Sequence, residues 1–152
     1  MARVYVDGVG IEYEVTGEGP PVVLLHGFPD SGRLWRHQVP ALAGAGFQVI
    51  VPDLRGYGRS DKPEAVEAYS LMQLAGDVMA ILAELGIPKA HVVGHDWGAA
   101  LAWALGSLVP GQVTTWSRSR SATRLPSAAR RGSARSRGTC CCSSSPASPS
   151  AG

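Results

Sequence analysis

The feature that most constrains this chain is the string Gly94-His95-Asp96-Trp97-Gly98, which joins two segments of different character. The residues before it, Ala90–Val93, are typical of a strand, and Ala99–Leu108 after it is rich in Ala and Leu, as helices are. A strand that passes so abruptly into a helix forces the central residue into a strained backbone conformation. Side chains two positions before and after would collide with the strand and the helix, which explains the glycines. The pattern predicts a sharp strand–turn–helix junction that lifts Asp96 above the edge of a sheet.

An aspartate at the centre of such a turn indicates a definite chemistry. A carboxyl group with an ordinary pKa of about 3.9 is ionised at neutral pH and needs no base to activate it. It can attack an electrophilic sp³ carbon and form an alkyl ester, which a His-activated water must then cleave. Epoxides and alkyl halides suit this site better than peptides or ordinary esters. The alternative is that Asp96 only caps the following helix; the flanking glycines and the preceding strand favour the nucleophile.

The rest of the chain up to about Val113 predicts strands that alternate with helices. Two short alternating runs around a Gly-containing turn predict an N-terminal hairpin, and two continuous apolar runs predict strands covered on both faces. Apolar residues at helical spacing predict a helix between these two strands and a second helix before the turn at 94–98. Gly86 ends the second helix. The predicted strands are Val4–Val6, Ile11–Val15, Pro21–Leu25, Phe47–Pro52 and Ala90–Val93. This order predicts an α/β fold with a mostly parallel sheet flanked by helices.

A second motif, His26-Gly27-Phe28-Pro29, directly follows a predicted buried strand. Where a chain has a nucleophile elbow, the loop in this position supplies a backbone N–H, and the residue after the nucleophile supplies another. Phe28 and Trp97 are therefore the predicted donors to developing negative charge. We expect His26 to be structural, with hydrogen bonds inside its own loop. None of the four histidines is a good candidate for the general base.

Together with a polar loop at 53–63, these motifs resemble a known family. The strings HGFPDS…LWRHQVPALA, DLRGYGRSDKP and GHDWGA, in this order and spacing, are similar to the soluble epoxide-hydrolase branch of the α/β-hydrolases over roughly residues 1–112. The resemblance implies an eight-stranded, mostly parallel sheet with a helical cap. It also implies a triad of Asp, His and a second acid, and two cap tyrosines that polarise the epoxide oxygen. Haloalkane dehalogenases share the elbow and hold halide through the indole N–H of the tryptophan at position 97, but the HGFP loop favours an epoxide hydrolase. Trp97 argues against the fluoroacetate-dehalogenase type, which carries arginine there.

The resemblance stops at Thr114, where the composition of the chain changes. Residues 1–113 hold seven basic and all twelve acidic residues, a net charge of −5, whereas 114–152 hold seven arginines and no acid. The sequence therefore predicts two segments: 1–113 as the N-terminal part of an α/β-hydrolase core, truncated after the helix that follows the elbow, and 114–152 as a disordered Ser/Arg/Pro/Ala tail. With such a truncation, the strand before the elbow would lack a neighbour and expose an apolar edge. The tail as a cationic arm for nucleic acid or membranes is a weaker alternative.

A frameshift near codon 113 explains the tail better. With ordinary codons, the shifted frame of residues 113–124 admits an apolar strand that the family should have, and that of 137–150 admits a segment suited to a cap. Cys140, Cys141 and Cys142 are then out-of-frame leucine codons of a G+C-rich gene. The nucleotide sequence at this point tests the hypothesis.

Composition and spacing set the remaining expectations. The consecutive cysteines match neither a disulfide framework nor a tetrahedral zinc site, so we predict no metal and no cofactor. The N-terminus has no long apolar run, and no segment approaches the length of a membrane helix. We therefore expect a cytoplasmic protein whose partners are water and a small epoxide or alkyl halide, with no nucleic acid and no membrane. Without the His base, the second acid and the cap, the 152-residue chain is expected to fail in turnover, and a non-catalytic fragment or binding module is the alternative.

Overall fold

In the computed structural model, which describes residues 1–119, a six-stranded sheet has the order β1-β2-β4-β3-β5-β6. The strands are β1 (Ala2–Val6), β2 (Val9–Thr16), β3 (Pro21–Leu25), β4 (Gln48–Pro52), β5 (Ala90–His95) and β6 (Val113–Ser119). β1 and β2 run antiparallel to their neighbours, and β4, β3, β5 and β6 are parallel. The prediction of a mostly parallel α/β sheet is confirmed.

The N-terminal hairpin turns over two residues, Asp7 and Gly8, with φ of 50° and 80°. Both values lie in the left-handed region that a tight hairpin turn requires, which is why an Asp-Gly pair stands there. The sequence predicted this hairpin, with strands that are a few residues shorter than those observed.

Three α-helices cover the sheet: α1 (Gln38–Gly44), α2 (Leu71–Glu84) and α3 (Trp97–Leu108). Two 3-10 turns, Gly32–Trp35 and Val66–Tyr69, precede α1 and α2. The hydroxyl of Ser70 caps α2 by accepting from the amide of Gln73 at 3.3 Å. Within the described part of the chain, no helix is long and apolar enough to cross a membrane.

The core has two layers, one on each face of the sheet. On one face, α2 and α3 pack against the central strands with residues such as Val78, Ile81, Leu101 and Leu105. On the other face, the Trp35 side chain is fully buried among Val22, Leu24, Val49 and Val51. Because the central strands are buried on both faces, they are read in the sequence as continuous apolar runs.

The core continues for one strand beyond the helix at which the sequence predicted it to stop. β6 pairs in parallel with β5, for example Thr115 with His91 and Trp116 with Val92. The prediction that β5 lacks a neighbour is therefore wrong. Val, Thr and Trp are good strand formers, and a helix that leads back along a parallel strand delivers the chain to its open edge. The predicted boundary at residue 113 falls on the first residue of β6, and residues 120–152 of the predicted tail lie outside the described residues.

Candidate active site

The turn between β5 and α3 has the geometry that the glycine pattern predicted. Asp96 has φ 53° and ψ −120°, which is a strained conformation for a residue with a side chain. A Cβ atom at Gly94 would lie 2.1 Å from the carbonyl oxygen of Gly98, and one at Gly98 would lie 2.4 Å from the carbonyl oxygens of Leu25 and His26. Both contacts are with backbone atoms that cannot move aside. The two glycines allow β5 to pass into α3 within a single residue.

The carboxylate of Asp96 is exposed at the carboxyl edge of the sheet and accepts a hydrogen bond from a main-chain amide of the loop after β3. The N–H of Phe28 donates to Oδ2 at 3.1 Å. The amides of Trp97 and Phe28, in that order of effect, hold the pKa of Asp96 below its ordinary value of 3.8. The side chain makes no capping hydrogen bond to α3, so the interpretation of Asp96 as a helix cap has no support. The Asp96 carboxylate is therefore ionised at neutral pH and receives the amide of Phe28, and the roles of Phe28 and Trp97 as donors to developing negative charge stay predictions.

Gly27 explains how the carboxylate and the Phe28 amide approach each other, and the sequence analysis did not single it out for this. A Cβ atom at Gly27 would lie 2.5 Å from Cβ of Asp96 and 2.8 Å from its Oδ2 atom. The Gly27 carbonyl also accepts from the amide of Asp30 at 2.9 Å, which closes the turn, and the Phe28–Pro29 peptide bond is cis. Only glycine leaves room for the nucleophile at this position.

The imidazole of His26 is fully buried behind this turn. Its Nδ1 lies 3.1 Å from the carbonyl oxygen of Gly27, and its Nε2 accepts from the amide of Leu54 at 2.9 Å. Burial lowers the pKa of His26, so the ring is neutral. The expected bond inside its own loop is present, and the bond to the loop after β4 is additional.

The other histidines of the described residues occupy different places. His37 is exposed before α1, and His91 on β5 lies 2.7 Å from the Thr115 hydroxyl on β6. His95, next to the nucleophile, contributes only a minor electrostatic effect that lowers the pKa of Asp96. That none of the four histidines is the general base stays a prediction.

The polar loop at 53–63 is tied to the sheet and is not a loose surface loop. The carboxylate of Asp53 accepts from the amides of Gly32 at 2.7 Å and Arg59 at 2.9 Å. The Ser60 hydroxyl accepts from the amide of Glu12 on β2 at 2.9 Å. Asp61 accepts from the amide of Gly10 at 2.7 Å and forms an ion pair with Arg3. These bonds hold the loop beside the candidate site and join it to the N-terminal hairpin.

A buried ion pair between Arg55 and Asp77 anchors the same loop to α2. The Nε atom of Arg55 donates to Asp77 at 2.7 Å, another guanidinium nitrogen donates to the Ala68 carbonyl at 2.9 Å, and both charged side chains are 2% exposed. Asp77 was not predicted from the sequence. The available signal was an aspartate next to Val78 on the apolar face of α2, where an unpaired charge would be too costly.

An apolar cavity of about 200 Å³ opens beside the elbow. Phe28 and Trp97 line it, and their side chains are 64% and 67% exposed. Its lining also includes Tyr57 of the polar loop, Tyr69 of the second 3-10 turn, and Leu71 and Leu74 at the start of α2. Among the residues described, there is no group of three or more potential metal ligands. The arrangement therefore brings together the Asp96 carboxylate, the Phe28 amide and an apolar surface.

Comparisons with known proteins agree with this geometry. The sequence profile of the family described as alpha/beta hydrolase fold matches residues 20–115. The chain is 56% identical to epoxide hydrolase B of Mycobacterium tuberculosis over 93 residues, which cover 61% of this chain and 26% of that protein. It is 45% identical to bifunctional epoxide hydrolase 2 of Sus scrofa over 106 residues, 70% of this chain and 19% of that protein. The chain thus spans about a quarter or less of the length of these curated relatives.

Solved structures of epoxide hydrolases also superpose on this chain. The structure of epoxide hydrolase A from Mycobacterium thermoresistibile superposes with a TM-score of 0.74 at 44% sequence identity, over 77% of this chain and 37% of that one. The region that the family profile matches, residues 20–115, contains both the turn around Asp96 and the loop around Phe28. The family profile covers more than half of the chain, and this chain belongs to the alpha/beta hydrolase fold family.

Proposed function

We propose that this chain carries the nucleophilic half of an epoxide-hydrolase site, with Asp96 as the nucleophile. The observation that carries the proposal is the Asp96 carboxylate, which is exposed above the sheet, accepts from the Phe28 amide, and has a pKa that the Trp97 and Phe28 amides lower. Serine at this position would need a base before it could attack, whereas a carboxylate of lowered pKa is already ionised. The two similar proteins from Mycobacterium are both named epoxide hydrolases, which supports an epoxide as the substrate.

The reaction begins with attack of one Asp96 oxygen on a ring carbon of the epoxide. The new C–O ester bond forms as the ring C–O bond breaks, and the ring oxygen leaves as an alkoxide that takes a proton from water. The other carboxylate oxygen becomes the ester carbonyl and keeps its bonds to the two amides. In the second step, water adds to this carbonyl, the amides stabilise the resulting oxyanion, and collapse releases a diol and regenerates the carboxylate.

The second step is the one that the 152-residue chain lacks the groups to perform. The sequence has no histidine after His95 and no acidic residue after Asp96. General-base assistance contributes about 10²–10⁴-fold, so we expect the ester to accumulate when this chain is tested alone. The chain then acts once, as a trap for a reactive epoxide, and does not turn over.

The test is incubation of the purified chain with styrene oxide, followed by intact-mass and peptide mass spectrometry. We expect one adduct per chain on Asp96, no adduct with Asp96→Asn, and an unchanged result with Asp30→Asn, an exposed carboxylate of the neighbouring loop. Steady release of diol would refute the single-event proposal, and absence of an adduct on Asp96 would refute the nucleophile itself.

A haloalkane dehalogenase is the second candidate, favoured by the exposed Trp97 side chain directly after the nucleophile. The two candidates are separated by a parallel incubation with 1-bromohexane. An adduct and stoichiometric bromide release with the bromoalkane, without an adduct from styrene oxide, would replace the epoxide by an alkyl halide as the substrate.

A further inference from the structure

The buried His26 imidazole connects two loops that both border the candidate site. Its Nε2 atom accepts from the Leu54 amide at 2.9 Å, so the ring hydrogen is on Nδ1, which donates to the Gly27 carbonyl at 3.1 Å. Gly27 lies two residues after the end of β3, and Leu54 lies two residues after the end of β4. A single neutral ring therefore joins the carboxyl ends of two adjacent parallel strands.

The turn held by His26 is the one that presents an amide to the nucleophile. Phe28, whose N–H donates to Asp96, follows Gly27 directly, so a displacement of the Gly27 carbonyl moves the Phe28 peptide plane with it. The Tyr57 ring packs edge-on against His26, with centroids 5.4 Å apart and an interplanar angle of 78°. Position, tautomer and orientation of the imidazole are all determined.

We propose that His26 is a positioning residue for the Asp96 carboxylate, because its two main-chain bonds hold the Gly27–Phe28 turn in the place where the Phe28 amide meets the nucleophile. The inference rests on the proposed function, since it concerns the same site. It assigns no proton transfer to His26, and the reacting atoms do not touch it.

The neutral state of the ring is required for this role. A protonated ring would place an N–H against the Leu54 N–H and break the bond between the loops. Burial lowers the pKa of His26, whereas the Gly27 carbonyl and the carboxylates of Asp53 and Asp30 act in the opposite direction with smaller effect. The bond between the loops is therefore expected to persist at neutral pH and to be lost in acid.

The test compares His26→Gln and His26→Asn in the full chain with His37→Gln as the matched control. Glutamine can place an acceptor near the position of Nε2, and asparagine can place a donor near Nδ1, so each variant retains one of the two bonds. His37 is exposed and makes no capping bond, so its replacement leaves both loops intact. The Asp96 carboxyl is titrated by NMR with ¹³C-labelled aspartate, and its assignment is checked with Asp96→Asn.

We expect the pKa of Asp96 to rise towards its ordinary value in both His26 variants and to stay unchanged in His37→Gln. Labelling by styrene oxide is expected to slow by about tenfold or more in the His26 variants, because a misplaced carboxylate meets the epoxide less often in the reactive geometry. A folded His26 variant with an unchanged Asp96 titration would overturn the proposal. The titration needs no epoxide, so it separates this outcome from a failure of the parent chain to form an adduct.

If both His26 variants fail to fold, the unsubstituted chain supplies the decisive measurement. The ring nitrogens of His26 and the amide of Phe28 are followed together by NMR as the pH is lowered. The proposal requires the Phe28 amide resonance to shift in step with protonation of His26. Protonation of the ring without a change at Phe28 would contradict it.

Discussion

At the scale of single residues, the site is defined as much by missing side chains as by present ones. Gly94 and Gly98 have backbone atoms at distances where any Cβ would clash, and Gly27 has the Asp96 side chain there. Asp96 has a strained φ of 53°, and this conformation places its carboxylate above the sheet, where it accepts from the Phe28 amide. The backbone strain of the turn therefore lies in Asp96, the residue whose side-chain direction the candidate site depends on.

Replacement of Gly98 by alanine tests this reading of the elbow. The new methyl group would lie 2.4 Å from two main-chain carbonyl oxygens, so we expect Gly98→Ala to lower the free energy of unfolding by at least about 2 kcal/mol. Gly76→Ala is the matched control, because Gly76 is inside α2 with open space around its Cβ position and should gain about 0.5–1 kcal/mol in helix propensity. Urea unfolding followed by circular dichroism measures both. Equal effects of the two substitutions would contradict the interpretation.

At the scale of elements, the least expected contact is that between α3 and β6. A Cβ atom at Gly106 on α3 would lie 2.8 Å from Cδ1 of the Trp116 ring on β6, so the indole packs directly against the helix backbone. Trp116 is still 46% exposed. The small residue on the helix and the large one on the strand fit each other, and this contact fastens β6 to the edge of β5.

A double-mutant cycle at this contact tests whether β6 is docked as described. Gly106→Ala alone is expected to destabilise, because its methyl group would push against the indole. In the Trp116→Ala background, the same change should become neutral or favourable, since alanine is the better helix former. We expect a coupling free energy of about 1 kcal/mol from urea unfolding of the four proteins. Additive effects would mean that Trp116 does not pack on α3.

At the scale of the whole molecule, the polar loop at 53–63 connects the N-terminal hairpin, the parallel strands and α2. Its attachments are the Asp61 bonds to Gly10 and Arg3 at one end and the buried Arg55–Asp77 pair in its middle. Removal of either attachment would therefore affect the stability of the whole sheet and not only the conformation of a loop.

Acid unfolding tests the Asp61 attachment. The Gly10 amide and, after it, Arg3 hold the pKa of Asp61 below its ordinary value of 3.8. At a pH between the folded-state and unfolded-state pKa values of Asp61, the unfolded chain binds a proton that the folded chain does not. The contribution of Asp61 to the free energy of unfolding is therefore complete above about pH 5 and is lost as the pH falls through the folded-state pKa. We expect Asp61→Asn to flatten the loss of stability below pH 4, whereas exposed Glu18→Gln leaves its slope unchanged. Thermal unfolding at a series of pH values measures it, and a slope unaltered by Asp61→Asn would count against the attachment.

The sequence by itself determined the α/β class, the hairpin, the parallel strands and the elbow, because each depends on local patterns. Apolar runs, helical spacing and glycines at fixed distances express steric rules that act over a few residues. Residues that act only through distant partners were not accessible in this way: Gly27 against Asp96, His26 against Leu54, and Arg55 against Asp77.

Only the tertiary structure decided which strand pairs with the outer edge of β5. The match to the family profile ends at residue 115, yet the residues up to Ser119 form β6, because backbone hydrogen bonding and β-propensity do not depend on family membership. The same holds for the candidate site. The predicted nucleophile lies in one short string, but Gly27 and the amide of Phe28 belong to a loop much earlier in the chain, and only folding brings them to Asp96.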